Sequence, residues 1–168
     1  GGVLNTAVGD YAVITAGLYN YVEGESSVIG AGAYNIITSA AEFAVIGSGE
    51  ANYIAAPKSF IGGGTENTIL GTEGNVIGAG AYNFVQGKFN AIHGGEANTI
   101  SDTSEYALVA GGQYNTIDGK WSTILGGKAN VLSGNYGVVL GGTSNDIISS
   151  SNFAVITGGN KNTVEGKL

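Results

Sequence analysis

Enzymatic chemistry needs a nucleophile, an acid–base group or a metal ligand in useful company, and this chain of 168 residues offers little of it. The one histidine, His93, stands before Gly94-Gly95 with no serine and acid spaced to complete a Ser-His-acid set. Cysteine is absent, which removes thiolate catalysis, thiolate metal sites and disulfides together. The 13 acidic residues fall singly across turn-like segments, whereas glycoside hydrolysis needs two that converge. Gly30-Ala31-Gly32 and Gly62-Gly63-Gly64 are followed by no helical pattern, so they are not phosphate loops. Recurrent Gly-Gly-x-x-Asn strings carry Asn where a calcium-binding Gly-Gly-x-Gly-x-Asp repeat needs a carboxylate, and neutral amides hold calcium weakly. The expectation is a protein with no enzymatic activity, no cofactor and no metal.

What remains is the chemistry of surfaces. Tyr19, Tyr34, Tyr82 and Tyr114 recur at one place in a repeating pattern, with Tyr21 and Tyr53 at a second place two residues on. Outward aromatic rings stack on sugar rings, so these six are the candidate ligand-binding residues. The same rings suit contacts between protein chains. Thr6, Thr68, Thr99, Thr116 and Thr163 form a file of the kind that matches ice, but Tyr21, Ile36, Tyr53, Phe84, Val131 and Asp146 interrupt it.

The pattern positioning these residues covers the whole chain as a single repeat domain. Eleven units begin at Gly1, Ala16, Ala31, Ser48, Gly63, Ala79, Gly94, Gly111, Gly126, Gly141 and Gly158, each with Gly second and Asn fifth. The asparagines are Asn5, Asn20, Asn35, Asn52, Asn67, Asn83, Asn98, Asn115, Asn130, Asn145 and Asn162, spaced 15 to 17 residues apart. Apolar residues come in two short bursts per unit, bounded by glycine. Such bursts read as strands, and no window supports a helix of ten residues. The predicted fold is all-β: a parallel β-solenoid (β-roll or β-helix) of about eleven coils of 15–17 residues, laterally self-associated.

Side chains alternate along a strand, so fifth and seventh positions share a face. The seventh is apolar throughout, from Ala7 to Val164, and the fourteenth likewise, from Ile14 to Ile156. Two residues before the latter runs a column of small residues such as Ala12, Ser27, Ala44 and Ser59, suited to a thin interior. The column between points outward, yet it too is apolar: Val13, Val28, Val45, Phe60, Val76, Leu108, Val138 and Val155. An aromatic column (Tyr11, Phe43, Phe89, Tyr106, Trp121, Tyr136, Phe153) runs beside it. One coil cannot cover its own outer face, and a monomer rarely leaves so long an apolar stripe bare. These residues are therefore expected to mediate self-association. The asparagines are expected to stack as a structural ladder of amides, or to supply the left-handed conformation of a tight turn.

Units three, seven and ten carry two extra residues at one place, in Thr38-Ser39-Ala40-Ala41-Glu42, Ser101-Asp102-Thr103-Ser104-Glu105 and Ile148-Ser149-Ser150-Ser151-Asn152. Insertions at one edge of a solenoid are expected to form a polar ridge. The chain opens on Gly1-Gly2 and stops in mid-repeat at Gly166-Lys167-Leu168 without polar caps, which suits a piece of a longer protein or head-to-tail stacking into a filament.

Composition narrows the partners. Six lysines, no arginine and a formal charge of −7 leave no basic run, so nucleic acid is not expected. Hydrophobic content of 43% separates the chain from disordered glycine-rich linkers. No apolar stretch reaches the roughly 18 residues of a membrane span.

The units G-x-x-N-x-I and G-x-x-S-x-I, as in Gly24-Glu25-Ser26-Ser27-Val28-Ile29, resemble the head repeats of trimeric autotransporter adhesins, the YadA-like or haemagglutinin repeats. All eleven units share the resemblance, with a pairing of seven plus eight residues where that family usually has seven plus seven. It implies a left-handed parallel β-roll, three chains side by side as a homotrimer, and an extracellular or cell-surface place. A structural and adhesive fibre segment that meets surface glycans or host matrix is the expected function. A viral tail-fibre or tailspike segment that recognises a host surface glycan is the alternative.

Overall fold

A computed structural model describes residues 1–166; Lys167 and Leu168, the end of the mid-repeat stop, lie outside the described residues. The described chain is strand and turn throughout, from β1 (Thr6–Ala7) and β2 (Val13–Ile14) to β21 (Thr163–Val164). The eleven odd-numbered strands form one parallel sheet and the ten even-numbered strands another, so each of the first ten coils gives one strand to each and the eleventh gives β21 alone. The predicted parallel β-solenoid is the fold. Equivalent positions pair, Thr6 with Tyr21 and, across a 17-residue unit, Val28 with Val45, so extra residues do not shift the register. A third ladder joins third positions from Val3–Leu18 to Thr143–Asn160.

Strands are two residues long because each coil turns sharply at two further places. The non-glycine residues at the fourth and eleventh positions adopt a left-handed backbone with φ of 51–58°, Leu4, Tyr11, Tyr19 and Trp121 among them. This differs from the expectation that Asn supplies that turn. The fourth residue takes the corner and donates its N–H back one coil (Tyr19 N to Val3 O, 3.0 Å). The asparagine that follows stays extended, so its carbonyl accepts from the coil before (Thr6 N to Asn20 O, 2.9 Å). The second-position glycines turn the remaining corner. At Gly112 φ is 94° and a Cβ would lie 2.3 Å from the Gly127 carbonyl oxygen, so only glycine fits there.

The core lies between the two sheets. Seventh-position side chains such as Ile37, Ile54 and Ile117 meet fourteenth-position Ile46, Ile61 and Ile124, all fully buried. The fifth and twelfth columns flank them and are buried as well away from the two ends, Asn67 and Ser122 included. Alternation along both strands therefore runs as expected from the sequence.

Candidate functional site: the outward columns of the rod

Inside the rod the asparagines form a continuous ladder. From Asn20 to Asn162 each Nδ2 donates to the Oδ1 of the asparagine one coil before, at 3.0–3.1 Å. The same oxygen accepts the next asparagine's backbone N–H, as Asn67 Oδ1 does from Asn83 at 3.1 Å. The second amide hydrogen goes to a glycine carbonyl one coil on, as from Asn83 to Gly95 O at 3.0 Å. From Asn20 to Asn145 both hydrogens and both lone pairs are engaged, which leaves these side chains structural and closed to ligands.

The twelfth column holds a second ladder that the sequence did not announce. Ser27 Oγ donates to Ala41 O (2.7 Å) and accepts from Ala44 N (2.9 Å). Asn75 Oδ1 accepts from Asn90 N (2.9 Å), and Asn90 Oδ1 from Ala107 N (2.8 Å). Its signal was present: Asn75 and Asn90 sit eight and seven residues after the ladder asparagines Asn67 and Asn83, so the two halves of these coils are near copies.

Outside, the thirteenth column faces away from the core as expected. Val28, Val45, Val76, Leu108 and Val138 are half-buried within one chain, while Val13, Phe60 and Val155 are exposed. The aromatic column beside it is an uninterrupted stack over five coils. Ring centroids of Phe89, Tyr106, Trp121, Tyr136 and Phe153 follow at 5.4, 6.0, 5.1 and 4.8 Å, with planes inclined by 4–28°. Gly74 makes room for the first ring, since a Cβ there would lie 2.4 Å from Phe89 Cδ1. Stacked faces cover one another, so this ladder presents ring edges and apolar area to whatever lies against it.

Of the six candidate tyrosines, only Tyr19 and Tyr34 are brought into ring contact, at 5.4 Å and 10°. Tyr82 and Tyr114 are exposed and separated by Ala97, with Lys128 Nζ 5.9 Å from the Tyr114 ring. Tyr21 and Tyr53 are half-buried in the file Tyr21–Ile36–Tyr53 on the outer side of the odd-numbered sheet.

The tenth column carries charge. Glu73 binds Lys88 at 2.9 Å and Lys58 at 3.4 Å, and Glu105 binds Lys120 at 2.8 Å. Hydrogen bonds from Lys88 and then Lys58 hold the Glu73 carboxyl below the ordinary glutamate value, and Glu73 in turn raises Lys88. A shallow cleft of about 370 Å³ runs along these pairs under the turn at Asp102. Among the described residues no three His, Cys, Asp or Glu side chains gather as metal ligands, and His93 is exposed.

The three insertions do lie at one edge. Each closes with a tight turn, such as Ala41 N to Thr38 O (3.0 Å), exposes two residues, and returns Ala41, Ser104 or Ser151 to the interior. They recur at unequal intervals, as separate knobs on the rod. Among the described residues no helix is long and apolar enough to cross a membrane. No family model matches the chain, and no curated protein matches it.

Proposed function

We propose that this chain is a structural and adhesive segment of an extracellular fibre or cell-surface adhesin, whose rods associate side by side through the outward apolar column. One observation carries the reading: the Val13-to-Val155 column turns apolar side chains outward along most of a single chain, and an aromatic stack runs beside its second half. Burial releases roughly 25 cal/mol per Å², so a second rod laid on this face gains without any rearrangement. A rod tied together coil by coil suits a load-bearing role.

Light scattering across a concentration series tests it. The expected result is an oligomer that Val28→Lys with Val138→Lys reduces to monomer while the circular dichroism stays that of the parent. A wild-type chain monomeric at every concentration rejects the reading. The alternative, a tail-fibre segment that recognises a host surface glycan, draws on the exposed rings of Tyr82 and Tyr114. Glycan binding lost in Tyr82→Ser with assembly unchanged would favour it.

A further inference from the structure

Rods that associate laterally through this face must meet in one relative direction, and the side chains on the face set it; any such direction rests on the lateral association proposed for the chain. Three columns point outward from the even-numbered sheet: the corner residues (Tyr11 to Phe153), the strand residues (Val13 to Val155) and the residues just after the strand (Thr15 to Thr157). The last column changes character halfway along. In coils two to five it is Gly30, Gly47, Gly62 and Gly78, where a Cβ would lie 2.2–2.5 Å from a carbonyl oxygen of the next coil. In coils eight and nine it is Leu125 and Leu140, both exposed. One half is a groove and the other a ridge.

The position after that column runs the opposite way. Ala16, Ala31, Ser48 and Ala79 occupy it in the first half, with Gly63 the exception, and Gly111, Gly126 and Gly141 in the second. At those three glycines φ is not positive and a Cβ would meet nothing within 4 Å, so the fold of one chain does not demand them. Bare backbone in such a place suits the close approach of another surface.

We propose that two copies of the chain pair face to face and antiparallel, about a two-fold axis passing the sixth coil at Ala91 and His93. Such an axis lies in the interface across the rods, keeps every column opposite itself and reverses the order of the coils. Leu125 then seats on Gly62 and Leu140 on Gly47, while Val45 meets Val138. In the corner column Ser26 receives Phe153, and Lys58 lies opposite the ring edge of Trp121. Shifts of one coil also seat both leucines on glycine; this register is the one that in addition sets Val45 opposite Val138 and Ser26 opposite Phe153.

A parallel assembly, including the three-rod arrangement that the adhesin resemblance implies, holds coils level and sets the corner column against the column after the strand. Trp121 would then meet Leu125 and Tyr136 would meet Leu140, while Ser26 faced Gly30 with little between them. Facing sheets lie about 10 Å apart, and no single spacing accommodates both crowding and void. Charge agrees. Residues 1–84 hold seven acids and Lys58 alone, whereas residues 85–168 hold six acids and five lysines. Antiparallel pairing sets the acidic half against the nearly neutral half; parallel pairing sets acid beside acid. The two Lys88 side chains near the axis are each held by their own Glu73 at 2.9 Å.

The chain has no native cysteine, so Val45→Cys and Val138→Cys can be made singly and joined by a bismaleimide that spans facing sheets about 10 Å apart. An antiparallel pair predicts a dimer by light scattering and no cross-link in either variant alone. A cross-linked dimer then appears when the two are mixed and re-equilibrated, up to half of the protein. Cross-linking of Val45→Cys with itself, a trimeric mass, or a dimer that no combination cross-links overturns the antiparallel pair while leaving lateral association standing. A monomer removes both.

Discussion

A buried amide that uses all four of its hydrogen-bonding sites has no tolerance for losing two. Asn83 donates to Asn67 Oδ1 and Gly95 O and accepts twice from Asn98. Asp in its place would present a carboxylate to two acceptors, and Asn83→Asp is expected to cost about 3 kcal/mol or more, read as a lowered denaturant midpoint at neutral pH. Corner residues behave in the opposite sense. Ala97 has φ of 52°, a conformation costing an L-residue about 1–2 kcal/mol, so Ala97→Gly is expected to raise stability by about 1 kcal/mol in the same assay. The asparagine ladder was legible in the sequence because one residue type recurs unchanged at Asn5, Asn20 and onward. The left-handed corners were not, because Tyr, Trp, Lys and Ala at these places are poor signals of positive φ. They follow from the ring the backbone must close, and no local preference reveals that.

At the scale of the coil, each side is a column whose members touch only the coils above and below. Strand alternation was readable because apolar residues fall at fixed offsets, and the core at Ile37, Ile46 and Ile54 follows directly. The ring-on-ring contacts of Phe89 to Phe153 were hidden, since a column of aromatics does not say whether rings face outward or one another. The charged column is the coil-scale feature that answers to pH. The folded pKa of Glu73 is depressed, so its stabilisation is present above the ordinary glutamate range and is lost as pH falls through the folded value. Lys88 is raised, so its share holds below the ordinary lysine range and is lost as pH rises through its folded value. Melting temperatures across a pH series should therefore fall at both limbs, shallowly because these groups reach solvent, and Glu73→Gln should flatten both. An unchanged acid limb in that variant would show that other carboxylates dominate it.

Over the whole rod, hydrogen bonds run from coil to coil and stability is a sum over neighbours. The strand Thr6–Ala7 of the first coil is exposed, whereas Ile92 and Ile100 in the middle are fully buried. Hydrogen exchange of the 168-residue chain should accordingly open from the terminal coils inward, with amides of coils five to seven exchanging last. A single protection level throughout would instead mean that the stack unfolds as one unit.

Units of 15, 16 and 17 residues share one register because additions are expelled at a single turn. A gene of this kind can gain or lose a copy by unequal recombination and still encode a sound product. Each copy changes reach by about 4.8 Å. Selection on such a gene can act by counting, setting the length of the rod in equal increments, while small additions at the insertion turn vary what it displays along that length.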